Sequence, residues 1–467
     1  MRTPPASVAL ALALACGCGD GASKAPHPAS SSASPRSAKG RPGPSARTTA
    51  SAAQPAPVER TLELLQTTKV EQLLGDFDRH TKKPTSGRTL ERFGVAGADL
   101  GYPFEVDGKL VFLFGDTIGT EALKGQDAMG RTDARDPESG IALDFYTRED
   151  GKFLPFRPVD KSGRKELLLG FEVPVGGIQT PRGTFVAYKN NHTGDEDGSK
   201  DGGARPAETD VTLLASFDPA TGGATSHCEL SRQPLGRFEK IWFHSVDVPD
   251  DASPDAEHRG PWIAMYGTGP IRRSPVYLAL VTPDGLAACS GVRYFTGLDG
   301  GKPRWSEREA DASPLFTEAD PRIGEVSVGW IAGAERWLML YDGRRPSAEG
   351  AVSPRADAAS GPKAILAREA TTPWGPWSAP IVVFDPNDGG FGVFIHDPSK
   401  SPPDGQAGPM IGKDKDHPET ARGGAYAPFL VERWTRATGA GVQIYFTLSV
   451  WNPYVVELMR ATFRVVR

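Results

Sequence analysis

Two aspartates set the chemistry this sequence can support. Asp99 and Asp116 bracket the stretch Asp-Leu-Gly-Tyr-Pro-Phe-Glu-Val-Asp-Gly-Lys-Leu-Val-Phe-Leu-Phe-Gly-Asp. Its Asp107-Gly108 pair favours a two-residue type I′ turn, because both central residues need positive φ. With Val106 opposite Lys109, the hairpin register predicts Tyr102 facing Leu113, Phe104 facing Val111 and Asp99 facing Asp116. The last would be a non-hydrogen-bonded pair, where side chains approach most closely. Two carboxylates ~5 Å apart at an effective dielectric of ~20 repel by roughly 3 kcal/mol, or about two pKa units on one partner. A site that keeps this repulsion needs a compensating proton, cation or substrate. Two acids with separated proton affinities are also what glycosidic bond cleavage requires. The competing local roles are an Asx turn at either aspartate, or a bulge at Gly101 or Gly115 that breaks the register.

Other side chains belong to the same neighbourhood by position in the pattern. If Gly333-Ala334 forms a turn, Glu325 faces Asp342 and repeats the carboxylate arrangement. Asn190, His244, Thr268 and Arg344 occupy comparable places, and Tyr102, Tyr426, Trp451 and Tyr454 supply aromatic walls. Glu325, Asn190, His244, Tyr426 and Asn452 are the candidate substrate-binding residues beside the Asp99/Asp116 pair. There is no Gly-x-Ser-x-Gly elbow, P-loop, dinucleotide fingerprint, His-Glu-x-x-His or Ser-x-Asp-x-Gly box. Carboxylate chemistry in an open funnel suits a sugar chain, with no cofactor expected. With 53 basic and 58 acidic residues the chain lacks a basic footprint for nucleic acid.

The elements that must position these residues recur. Strands ending in an aromatic and then a polar or glycine residue appear at Val111–Asp116, Phe185–Asn190, Trp262–Thr268, Trp337–Gly343 and Gln443–Ser449. A second strand follows each, at Ile141, Leu213, Tyr277, Ile365 and Glu457. A third kind of segment precedes each, beginning at Asp99, Val173, Phe243, Glu325 and Ala425. Five copies of a four-stranded unit predict an all-β, five-bladed propeller. Pro103, Pro174 and Pro428 fall in the first strands, whose channel edge tolerates a missing N–H. Val58–Phe77 is expected to add an outer strand to the last blade.

Residues 1–15 read as an export signal, with Arg2 before a short apolar core and Ala-Leu-Ala-Cys16 as a lipobox-like cleavage site. Cys16 is the expected lipidation site, Cys18 being a weaker choice and plain secretion the alternative. Residues 16–57 form a Ser/Ala/Pro/Gly-rich tether without enough large apolar residues to fold, and residues 58–467 form the propeller domain. The membrane is contacted only through the anchor, which places the domain in the cell envelope. Cys228 and Cys289, read as outer-strand residues of neighbouring blades, are expected to stay unpaired. The acidic loop Gly194–Asp210 reads as solvated. The long connection Asn387–Gly424, with His396, Asp397, Lys413 and His417, reads as a partly ordered lid.

The phrases Gly97-Ala-Asp-Leu-Gly-Tyr-Pro-Phe, Leu113-Phe-Gly-Asp-Thr117, Gly324-Glu-Val-Ser-Val, Trp374-Gly-Pro-Trp-Ser, Gly423-Gly-Ala-Tyr-Ala-Pro-Phe and Leu448-Ser-Val-Trp-Asn-Pro-Tyr454 resemble the bacterial family called domain of unknown function 4185. Part of that family is grouped with endo-D-arabinanases. The resemblance implies a five-bladed propeller, hydrolysis of an arabinan, and catalytic aspartates at Asp99 and Asp116. The expectation is therefore an extracytoplasmic, lipid-anchored glycoside hydrolase acting on a polysaccharide or oligosaccharide. Its rivals are a non-catalytic carbohydrate-binding propeller and a calcium-centred hydrolase that uses Asp99, Asp116 and Glu325 as ligands.

Overall fold

The computed structural model describes residues 59–119, 126–163, 173–191, 210–232, 236–269, 274–317, 323–345, 363–400, 422–439 and 441–466. The expected signal, lipidation site and tether lie outside these residues, as do Lys413 and His417 and most of the Gly194–Asp210 loop.

The strands form five antiparallel sheets, the blades of a propeller. Blade one is β2 (Gly97–Val106), β3 (Lys109–Ile118), β4 (Gln126–Thr132) and β5 (Asp144–Phe145). Blade two is β6 (Val173–Thr180), β7 (Gly183–Asn191), β8 (Asp210–Phe217) and β9 (Ala224–Arg232). Blade three runs β10 (Lys240–Val246), β11 (Trp262–Thr268), β12 (Val276–Val281), β13 (Arg293–Asp299) and β14 (Lys302–Ser306). Blade four is β15 (Val326–Ile331), β16 (Arg336–Arg344), β17 (Lys363–Ala370) and β18 (Ile381–Phe384). Blade five takes β19 (Ala425–Leu430), β21 (Gly441–Val450) and β22 (Val455–Val465) from the end of the chain, with β20 (Arg436–Thr438) paired to β21.

The outermost strand of blade five is β1 (Leu62–Gln72), which pairs antiparallel with β22 and closes the ring. Its start is clamped by Glu369 of blade four. Glu369 accepts from the backbone N–H groups of Thr61 and Leu62 at 2.6 and 2.9 Å and from the Thr61 hydroxyl at 2.7 Å. Further along β1, Lys69 lies 3.0 Å from both Asp78 and Glu457. Burial pushes the Glu457 carboxyl up to about 7, although Lys69 draws it down.

The second strands β3, β7, β11, β16 and β21 are buried almost throughout. Each is covered by neighbouring blades on both faces, which is why these segments are the most apolar and the easiest to recognise. Blade one departs from the expected pattern in its third strand. That strand is Gln126–Thr132, and Ile141 lies in the connection that follows. β4 carries few large apolar side chains, so it does not share the phrase of its counterparts.

The first strands touch in the ring order β2, β6, β10, β15, β19 around the channel. The middle of that channel is closed by Tyr102, Trp242 and Phe429. Tyr102 packs 4.7 Å from Trp242 and 5.1 Å from Phe429, and the other two stack at 5.9 Å. The Trp242 indole N–H donates to the Val328 carbonyl at 2.6 Å, and Tyr102 accepts from the Phe243 N–H at 3.2 Å. Tyr102 is therefore part of a plug and not of an accessible wall.

Cys228 and Cys289 form a disulfide with a Cα separation of 6.2 Å, contrary to the expected free thiols. Cys228 is on the outer strand β9, as read. Cys289 instead caps the short helix α1 (Pro283–Ala288) between β12 and β13, and this helix reaches across to blade two. There His227 Nε2 lies 2.5 Å from the Ala287 carbonyl. The connection, not a strand, brings the two sulfurs together.

Candidate active site

The first strands all enter the channel from the same mouth, and that mouth gathers Asp99, Glu325 and Tyr426. The expected pairing of Asp99 with Asp116 does not occur. The register holds from the turn outward through Tyr102↔Leu113 and then shifts, leaving Asp99 opposite Gly115. The cause is a bulge in which Leu100 (φ 62°) and Gly101 (φ 71°) both adopt positive φ. Their carbonyls are taken up by blade five, the Ser449 hydroxyl donating to Leu100 at 3.2 Å and the Thr447 hydroxyl to Gly101 at 2.9 Å. Register shifts also follow Pro174 in β6 and Tyr426 in β19. Bulges re-aim side chains at the rims of such sheets, and here three blades use one at the same level.

The bulge gives the two aspartates different surroundings. The Asp99 carboxylate folds over Gly115, where an added Cβ would lie only 2.6 Å from Oδ1. The Tyr426 hydroxyl donates to Asp99 Oδ2 at 2.8 Å, and Tyr454 bonds the same carboxyl. Asp116 sits at φ 39° with its backbone N–H held by Asp127 Oδ1 at 3.0 Å. Burial, then the neighbouring Asp116 charge, push the Asp99 carboxyl up to about 7 against the two tyrosine hydroxyls. Burial also raises Asp116. The electrostatic opposition expected from the sequence thus survives, although its hairpin geometry does not. Both aspartates are half-buried, with Asp99 Oδ1 enclosed, whereas Glu325 and Asp342 are buried.

Glu325 stands just before β15, and its N–H donates to Asp342 Oδ1 at 2.8 Å. The Gly333-Ala334 turn is the middle of a four-residue loop, which preserves the expected opposition. Asn452 is buried in the β21–β22 turn, and its carbonyl accepts from the His396 N–H at 2.7 Å. That bond seats the described part of the long connection, in which Phe394 and Ile395 are buried, against the same mouth. Asn190 is on β7, next to Lys189 at the level of Val173; its side chain lies outside the description. The Thr268 hydroxyl donates to the Gly324 carbonyl at 2.6 Å, joining blades three and four behind Glu325.

His244 is not part of this assembly. It lies four residues into β10, ~13 Å along the strand from Lys240, and Lys240 is the residue level with the mouth. His244 belongs to the opposite mouth, where its Nε2 bonds Glu432 at 2.8 Å and its Nδ1 the Ser245 carbonyl at 2.7 Å. Both partners accept, so the ring is held as the imidazolium. Burial lowers its proton affinity, but the bond to Glu432 more than offsets this. Blade three instead contributes Glu239 to the Asp99 mouth, bound 2.9 Å from Lys189 of blade two. Aligning blades by the start of the strand, at Phe238-Glu239-Lys240, would have found this pair. Among the described residues no group of three His, Cys, Asp or Glu side chains is placed to hold a metal ion.

The profile of the family described as Domain of unknown function (DUF4185) matches residues 85–460. The chain belongs to this family. No curated protein matches it. In shape it is similar to the catalytic domain of a GH62 alpha-L-arabinofuranosidase from Coprinopsis cinerea, with 11% identity, 86% of this chain and 97% of that chain covered and a TM-score of 0.42. The alpha-L-arabinofuranosidase PaAbf62A from Podospora anserina, in complex with cellotriose, gives 10% identity, 86% and 98% coverage and 0.40. The alpha-L-arabinanase of Cellvibrio cellulosa, complexed with arabinohexaose, gives 9%, 78% and 91%, and 0.38. At these values the likenesses carry no argument about the chemistry of this DUF4185 protein.

Proposed function

We propose that this DUF4185 protein is an extracytoplasmic glycoside hydrolase that cleaves a polysaccharide, with arabinan the first candidate. One observation carries the reading: two carboxylates share a channel mouth, and the more enclosed one, Asp99, keeps its proton to about pH 7. Asp99 is then the general acid that protonates the leaving glycosidic oxygen. Asp116 is the base that activates water, or the nucleophile that attacks the anomeric carbon. As the leaving oxygen takes the proton, Asp99 becomes a carboxylate, and the Tyr426 hydroxyl 2.8 Å away stabilises that product. The half-buried Trp451 provides an apolar face at the same mouth for the sugar ring. Arabinan is favoured by the family resemblance, which maps its catalytic aspartates onto these two positions.

The disulfide supports an oxidising compartment, in line with the export signal and with lipidation at Cys16. The test is a product screen of the full chain against D-arabinan, L-arabinan and galactan by reducing-end release. Wild type should cleave at least one, Asp116→Asn should reduce turnover at least 10³-fold, and a chelator should leave the rate unchanged. Loss of activity with chelator would favour the metal-centred reading. Wild-type binding without any cleavage would favour a carbohydrate-binding propeller.

A further inference from the structure

The opposite mouth of the channel carries a second set of groups that the proposed reaction does not use. Trp330 is the penultimate residue of β15 and is 41% exposed, the one exposed tryptophan among the described residues. It is the cross-strand partner of Trp337, and their rings meet at 5.7 Å with a 59° angle. Trp337 in turn stands edge-on to the His244 ring at 5.0 Å. Glu432, 40% exposed in its side chain, ties the group together by accepting from the Trp330 N–H at 3.0 Å and from His244 Nε2. Blades three, four and five thus place two indoles beside a solvent-facing carboxylate and an imidazolium. Between this cluster and Asp99 stands the Tyr102–Trp242–Phe429 plug.

We propose that this cluster is a second glycan-binding site, on which a sugar of the polysaccharide stacks against Trp330 while its hydroxyls bond Glu432. The inference rests on the glycoside hydrolase reading above. The chemistry matches a sugar, which presents C–H groups on one ring face and hydroxyls around its edge, and the site offers an aromatic face with polar groups at its rim. Size argues against a protein partner. A stable protein interface buries about 800 Å² per partner, whereas this platform is two indoles wide. Among the described residues the other exposed large apolar side chains, Leu65, Phe77, Leu90 and Val466, lie on the outer strand β1, in the segments that follow it and just after β22, and do not extend the patch. Polymer held here would raise the local substrate concentration at the Asp99 mouth without taking part in the cleavage.

The experiment is affinity electrophoresis of the full chain through gels containing D-arabinan, L-arabinan or galactan, with Asp116→Asn as the background to prevent cleavage. The retarding polysaccharide should bind the Trp330→Ala double variant about tenfold more weakly, and Trp330→Phe should keep most of the affinity. Without the Asp116 substitution, Trp330→Ala should raise KM for the polymer and leave kcat for short oligosaccharides unchanged. Equal retardation of all three proteins would overturn the second site, while cleavage by wild type would keep the hydrolase reading intact. Trp330-dependent retardation by a protein that cleaves nothing would support the site and remove the hydrolase reading. Absence of both retardation and cleavage would overturn both.

Discussion

Replacing Asp99 by Asn should make the protein relatively more stable as pH rises. The Asp99 carboxyl moves from 3.8 to about 7 on folding, and at about 1.4 kcal/mol per tenfold change in proton affinity this is about 4 kcal/mol. Below pH 3.8 both folded and unfolded chains carry the proton, and the group is neutral in its effect. Between 3.8 and about 7 the unfolded chain releases the proton while the folded chain keeps it, so stability falls with each pH unit. Above about 7 both are ionised and the full loss persists. Asn removes this titration and still accepts the Tyr426 hydroxyl. With an unfolding entropy of about 2.1 cal/mol/K per residue over roughly 400 residues, 4 kcal/mol is about 5 °C in Tm. Calorimetry of both proteins from pH 4 to 8.5, at one scan rate, should show the Tm of the variant gaining on wild type by about 1.5 °C per pH unit up to about pH 7. The gap should then become constant. The slope is diagnostic even if the Asn side chain introduces a fixed offset. A gap that is flat, or that closes as pH rises, would mean that Asp99 is not held protonated, and the acid role would fall with it.

The activity of the wild type should decline as pH rises through about 7, when Asp99 loses the proton it must donate. Tyr426→Phe removes a donor that favours the charged carboxylate, so that alkaline limb should move to higher pH in the pH–rate profile. Gly115→Ala places a Cβ 2.6 Å from Asp99 Oδ1 and should lower kcat by an order of magnitude or more while circular dichroism still reports the folded sheet. Cys228→Ser opens a loop spanning 61 residues and should cost about 4 kcal/mol on the chain-entropy account, read as a lower Tm that reductant does not lower further. Glu369→Ala leaves the Thr61 and Leu62 N–H groups without their acceptor and should cost at least about 2 kcal/mol in denaturant unfolding, with kcat per folded molecule unchanged.

The fold was legible because the propeller repeats its most apolar strand. Segments such as Trp262–Thr268 and Trp337–Gly343 are walled in by blades on both faces, and composition alone exposes them. The ladder near Asp99 was less legible, because nothing in Leu100 announces a positive φ. Only the tertiary contacts from Thr447 and Ser449, some 350 residues away in sequence, make that bulge affordable. Asp99, Glu325, Tyr426 and Asn452 come together as read, since each stands at the start of a first strand or in the turn beside one. His244 was misplaced by an alignment on aromatic residues; the alignment equated Phe243 with residues nearer the mouth and so passed over Glu239. The disulfide was missed for a related reason, as a helix in a connection follows no blade period.

The Leu62–Gln72 strand has a consequence for how the protein is made. Its partner, Val455–Val465, is about 400 residues downstream and, at 5–20 residues per second, emerges roughly 20–80 s later. For most of that interval the strands that complete the last blade do not yet exist, and the first strand waits without its sheet neighbour. The ring therefore closes only after Val455–Val465 has emerged, so removing that strand costs the first strand its place as well.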